Sequence, residues 1–288
     1  MSARRRQRHR RLLASFLGNP TAVFGAGITL FVVLAATLGA VLMPYKPGDA
    51  DFMNILSGPT WMHPFGTDSF GRDVLTRVLY GARVSLVVSA AGILLAAVTG
   101  SALGMIAAYK GGAADAVLMR FADLLFAFPS FVLALFLMVV LGFGAANVSL
   151  AIALTYFPIF ARLGRNMTLL VREEPFVQAA RLMAEPTWRI LLKEILPNIA
   201  APLIVQATIG IAFGIVIEAG LSFLGVGVQP PTPSLGVIMA DGREYFARAP
   251  WVLTMTGVAI SVALLGLNLF GDGLRDLMDP RLRQRAQQ

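Results

Sequence analysis

The chain has no cysteine, two histidines, three lysines, and charged residues at only 14% of its 288 positions. Each shortage excludes a class of chemistry. Without cysteine there is no disulfide framework, no thiol nucleophile and no thiolate metal site, and redox compartment is not encoded. His9 and His63 lie far apart, so neither a zinc-protease helix nor a Ser-His triad can be assembled. None of Lys46, Lys110 and Lys193 follows a glycine or precedes a hydroxyl residue. That removes the Gly-x-x-x-x-Gly-Lys-Ser/Thr phosphate loop, and with it ATP binding by that route. With no catalytic constellation visible, the pattern reads as a transport or scaffold protein rather than an enzyme.

What the chain has instead is apolar length. Hydrophobic residues make up 57% of it and its mean hydropathy is +0.72, far above an ordinary soluble domain. The reading is an all-α polytopic membrane protein, because only helices and closed barrels satisfy the backbone in hydrocarbon. About six transmembrane helices are expected, near 22–43, 84–108, 117–141, 146–165, 199–224 and 251–271. The net charge of +8 follows the membrane rather than a nucleic acid. With both termini inside, 18 of the 24 Lys and Arg fall on or near cytoplasmic segments and 6 outside, a positive-inside bias. The Arg-rich start mimics a signal peptide, but the apolar run after it is long enough for an anchored first span. The chain divides into a basic cytoplasmic tail (1–19), a first span with a long extracytoplasmic loop (20–83), a core of spans (84–272) and a cytoplasmic tail (273–288).

One charged, amphipathic stretch interrupts the core, EEPFVQAARLMAEPTWRILLKEILP from Glu173 to Pro197, which the topology places in the cytoplasm. Pro175 and Pro186 suit the first turns of two short helices, with Pro197 stopping the second. Phe176, Ala179, Ala180 and Met183 stand at helical spacing, as do Trp188, Leu191, Leu192 and Ile195, giving each helix one apolar stripe. Ala179 and Ala180 are small enough to let another surface approach closely. Such a pair either docks into a partner's groove or lies flat at the lipid interface.

On the outer side, His63 to Leu86 reads HPFGTDSFGRDVLTRVLYGARVSL, with a short helix expected from Asp73 into span two. It is either a cap on the bundle or a docking surface. In span two, Gly100 and Gly104 form a small-xxx-small face for close helix packing. Pro129 should kink span three, and Pro158 lies in span four. Glu218 is the most interior ionisable residue, expected to face the bundle or a water-filled cavity. It either lines a permeation path or bonds a neighbouring helix to hold the outer end of the bundle. Ser222 follows closely, and then Gly225, Gly227, Pro230 and Pro231 make a stiff extended loop whose carbonyls could line an outer gate.

The Glu173–Pro197 stretch resembles the EAA loop of ABC importer permeases. Ala179, Ala180, Leu196 and Pro197 match that pattern, while Gln178 replaces its Glu and Ala184 its Gly. Three further segments resemble one branch, the second permease subunit of dipeptide, oligopeptide and nickel transporters. GTDSFGRDVLTRVLYGARVSL, from Gly66, carries Asp68, Gly71, Arg72 and Asp73 where the branch has GTDxxGRD. EAGLSFLGVGVQPPTPSLG resembles EAxLSFLGLGVxPPxPSWG, and GDGLRDLMDPRL resembles GDxLRDxLDPR.

The resemblance implies a type I ABC importer permease fold working by alternating access in a bacterial or archaeal cytoplasmic membrane. It implies coupling to the ATPase through Gln178, Ala179, Ala180, Ala184, Glu185 and Pro197. The implied partners are a homologous second permease, two cytoplasmic ATPase subunits and an extracytoplasmic binding protein, besides membrane lipid. ATP and Mg would sit on the ATPases, with no cofactor or metal on this chain. Small peptides are the expected cargo, and nickel chelates, glutathione or opines are alternatives. The rival from another class is an ion-coupled secondary transporter using Glu218, with a non-transporting scaffold third.

Overall fold

The computed structural model describes residues 18–278, so nearly all of the basic tail and the last residues of the C-terminal motif lie outside the described residues. Nine helices build the described part, and no strand forms there beyond two isolated bridges. α1, Pro20–Leu42, starts where the Asn19 side chain accepts from the Thr21 and Ala22 amides at 3.1 and 3.2 Å, with Pro20 in the first turn. α2, Val74–Lys110, is a single helix of 37 residues capped by Asp73. The separate short helix expected from Asp73 is therefore part of span two. No proline interrupts it, and Gly81 packs against Ser234 and Leu235 without breaking it.

Span three departs furthest from expectation. α3, Gly112–Phe126, and α4, Ser130–Leu141, meet at 95° rather than forming one kinked helix over 117–141. Phe128 precedes Pro129, a position disfavoured in α conformation, and Pro129 itself is extended (ψ 133°). α5, Ala145–Val171, runs through Pro158. α6, Pro175–Leu182, is the first helix of the charged loop, whereas the second is fused to span five as α7, Thr187–Phe223. Pro197 does not stop it. The preceding turn, Ile190–Ile195, is a π-helix, wide enough to take the proline ring without a clash against the carbonyl four residues back. The Asn198 side chain donates to the Glu194 carbonyl at 2.6 Å. α8, Leu235–Arg243, and α9, Pro250–Met278, complete the fold.

Small residues set how the helices meet. α2 and α5 run parallel, with Gly92, Gly100 and Gly104 against Ile152, Phe157 and Ala161, and Gly164 against Ser101. α7 runs antiparallel to α2, bringing Gly210 to Ile93 and Gly214 to Ser89. α9 is antiparallel to both α1 and α7: Gly266 meets Ile28, Gly273 meets Ala22, and Ala263 and Leu267 share a core with Ala212 and Ile215. Pro20 and Met278 consequently lie at the same end of the bundle as Lys110 and the charged loop. Among the described residues, five helices are long and apolar enough to cross a membrane, six when the bent α3 and α4 count as one span.

Candidate functional site

Two constellations stand out, one at each end of α2. At the Val74 end, the long loop after α1 folds as a compact cap. Gly66 and Gly71 hold left-handed φ values of +73° and +72°, and a Cβ at Gly71 would run into the Asp51 backbone. That turn wraps the buried Asp68 carboxylate, which accepts from the Phe70 amide at 2.8 Å, the Arg72 amide at 3.0 Å, Arg72 Nε at 2.7 Å, and Arg77. Both arginines also reach Asp241 in α8, at 3.3 Å from Arg72 and 2.8 Å from Arg77. Asp73 caps α2 through the Thr76 amide at 2.7 Å and meets His63 Nδ1 at 2.9 Å. Trp251 at the start of α9 donates to the Thr67 carbonyl at 3.1 Å. The geometry of this motif is that of a cap joined to the bundle by interlocked charge pairs.

About two turns beyond Arg77 on α2, the Glu218 carboxylate is wholly buried. Ser85 of α2 donates to it at 2.5 Å and Ser222 at 2.7 Å. Each hydroxyl also accepts a backbone amide: Leu235, at the start of α8, to Ser85 at 3.2 Å, and Val228 to Ser222 at 3.0 Å. One carboxylate thus joins α2, α7, α8 and the loop between them, and every polar atom is used. Gly227 is buried against Ser222, while Gly225 (φ +80°), Pro230 and Pro231 lie exposed beyond the knot, the two prolines joined by a cis bond.

At the Lys110 end, α6 closes in a Schellman turn. The Glu185 amide donates to the Ala180 carbonyl at 3.1 Å and the Ala184 amide to Arg181 at 3.0 Å. Ala184 supplies the left-handed residue (φ +54°) that glycine usually provides, which accounts for its place in the motif. Gln178 donates to Glu173 at 3.3 Å, linking α6 to the end of α5. Each expected apolar stripe is divided between a buried and an exposed face. Val177 and Ala180 are buried against the core with Ile190, Leu191 and Ile195, whereas Phe176, Ala179 and Met183 face outward. Leu182 (89% exposed), Met183 (69%), Trp188 (60%) and Leu192 (53%) form an open apolar ridge. Pro197 is exposed and Glu185 half-buried. Ala180 therefore seats α6 on its own bundle, and Ala179 is the small residue on the free face.

Several residues of these sites escape a reading by motif letters. Arg77 and Ser85 stand inside the quoted motif, and their spacing from Asp73 put them on one helix, but the acids they meet are more than 130 residues away or in a loop turn. Asp241 gave no local signal.

Comparison with known proteins bears on both ends. Residues 100–284 match the family model described as binding-protein-dependent transport system inner membrane component, and residues 9–59 match the N-terminal transmembrane domain of oligopeptide transport permease C. The chain is 40% identical over 265 residues to the dipeptide transport system permease protein DppC of Alkalihalophilus pseudofirmus, covering 92% of this chain and 87% of the relative. It is 37% identical over 278 residues to the di/tripeptide transport system permease protein DppC of Pseudomonas aeruginosa, covering 94% and 92%. A glutathione transport system permease protein, GsiD of Pectobacterium atrosepticum, is 38% identical over 269 residues, covering 93% and 89%.

Proposed function

Because the chain belongs to the family of inner membrane components of binding-protein-dependent transport systems, we propose that it is the permease subunit of an ATP-driven importer of small peptides. The observation that carries this reading is the open apolar ridge of Leu182, Met183, Trp188 and Leu192, presented on a loop whose other face is fastened into the bundle. Open apolar side chains on a charged loop in water are a liability unless a partner covers them. The partner is a cytoplasmic ATPase, two copies of which bind ATP and Mg and serve this chain and a homologous second permease. In this reading the ridge, Pro20 and Met278 face the cytoplasm and the Asp68 cap faces the outside, where a binding protein delivers cargo; the excess of Lys and Arg near the former supports it. The membrane is the bacterial or archaeal cytoplasmic membrane.

In this account ATP closes the ATPases, the loop is pushed, and the bundle opens outward; hydrolysis resets it. The chain performs no covalent chemistry. Gln178, Ala179, Ala180, Ala184, Glu185 and Pro197 shape the loop, while the knot at Glu218 holds the outer end closed at rest. The relatives named for dipeptides, di/tripeptides and glutathione favour peptide as cargo over nickel chelates. Uptake of a labelled dipeptide and of labelled nickel, in cells with and without the chain, tests this. Dipeptide uptake lost on deletion is expected; loss of nickel uptake alone would move the chain to the metal branch.

A further inference from the structure

The charged loop is moored to α2 at a point that the docking role does not require. The Arg181 guanidinium lies over the Tyr109 ring, 4.6 Å from its centroid, and its buried Nε has no hydrogen-bond partner. No acid lies within ion-pair distance of Arg181 among the described residues, so the ring face is the feature that holds the cation. Next to it, Arg172 at the end of α5 donates through Nη1 to the Ala108 carbonyl at 2.7 Å, one of the carbonyls that the helix end leaves without an internal partner. Two cations thus grip the C-terminus of α2, where the helix dipole is negative. On the far side of Lys110 come Gly111 and Gly112, both at left-handed φ (+70° and +61°), with nothing within 4 Å of where a Cβ would stand. α2 is gripped by the loop and linked to α3 by a swivel.

We propose that the Arg181–Tyr109 stack is the joint through which the loop drives α2, and that α2 carries the motion to Glu218. Two helices connect the loop to that carboxylate, and they differ in stiffness. α7 reaches it through a π-turn, Pro197 and Pro202, each a place where a helix bends. α2 reaches it with neither proline nor π-turn over the 24 residues from Tyr109 to Ser85, a distance of roughly 36 Å. A shift at its lower end is delivered to Ser85, whose hydroxyl is shared between Glu218 and the Leu235 amide, and beyond it to Arg77 between Asp68 and Asp241. Arg181 and Tyr109 are positioning residues here, acting through the helix and not on cargo.

The proposal rests on the ATP-driven reading, and its test separates the two. The whole transporter, with both permeases, both ATPases and the binding protein, is placed in proteoliposomes, and dipeptide delivered is measured per ATP hydrolysed. Tyr109→Leu keeps apolar bulk and removes the ring. It is expected to retain the ATPase subunits and hydrolyse ATP, yet deliver about fivefold less dipeptide per ATP, the effect of losing one ordinary contact. Tyr109→Phe, which keeps the ring, restores the wild-type ratio. A wild-type ratio in Tyr109→Leu overturns the proposal. So does a defect as large in Tyr109→Phe, or loss of the ATPase subunits from Tyr109→Leu, which would make the contact one of assembly. Wild-type liposomes that hydrolyse ATP but deliver no dipeptide would sink the peptide reading, and the joint with it.

Discussion

Replacing Gly104 by alanine tests the contact between α2 and α5 on which both ends of the bundle depend. A Cβ at this position would overlap the Ala161 carbonyl oxygen and stand 3.0 Å from both the Ala161 carbonyl carbon and the Arg165 nitrogen. All three atoms are backbone of α5, so no side chain can swing aside and the helices must part. Overpacking of this kind costs about 1–3 kcal/mol, and an unyielding backbone puts Gly104→Ala near 3. At about 2–4 °C per kcal/mol for chains of this size, the melting temperature in detergent should fall by roughly 6–12 °C. Gly257→Ala is the matched control, in the interior of α9 with nothing within 4 Å. The same methyl there relieves a helix penalty of about 0.8–1 kcal/mol, so its melt should hold or rise. Thermal melts of the purified chain followed by fluorescence-detected size exclusion read both. A Gly104→Ala melt within about 1 °C of wild type, or an equal fall for Gly257→Ala, would refute the packing argument.

Three further outcomes follow from the sites. In a double-mutant cycle of Ser85→Ala and Glu218→Ala, stability measured by denaturant should give a coupling of about 1–3 kcal/mol, as expected for a buried hydroxyl donating to a carboxylate; additive effects would mean the knot does not hold the helices together. Ala179→Arg should leave the chain folded and strip the ATPase subunits from it in co-purification. Ala180→Arg should instead destabilise the chain by about 3 kcal/mol or more, since it places an unpaired charge in the core. If Ala180→Arg folds normally, the orientation of α6 is wrong. Ala184→Gly relieves the left-handed strain at a smaller cost in chain entropy and should stabilise the turn by about 0.5 kcal/mol, seen as slower exchange of the Glu185 amide that closes it.

The spans were legible because a membrane imposes one rule on every helix that crosses it, and composition alone reveals runs of that length. The joins were not. Pro129 and Pro197 look alike in sequence, yet one ends a helix with a 95° turn and the other sits inside a helix behind a π-turn. What decides is whether neighbouring turns can widen and whether a side chain such as Asn198 takes up a freed carbonyl, neither of which hydropathy records. The site residues divide in the same way. Asp68, Arg72 and Asp73 are close in sequence, so their cluster was visible as a motif, as was the interior position of Glu218. Its partner Ser85 lies 133 positions away, and Asp241 lies 164 from Arg77. Stripe reading also left the inner face of α6 open: Phe176, Ala179 and Met183 are as periodic as Val177 and Ala180, and only the fold shows which set is inside.

The central claim is that ATP, and no ion gradient, moves peptide through this chain. It is tested most directly in proteoliposomes holding the complete transporter, with binding protein and labelled dipeptide on one side and ATP on the other. The account predicts dipeptide accumulation against its gradient that needs ATP, stops with vanadate and is indifferent to a proton uncoupler. Accumulation that persists without ATP, collapses with the uncoupler and is abolished by Glu218→Gln would contradict it and make Glu218 the ion site of a secondary transporter.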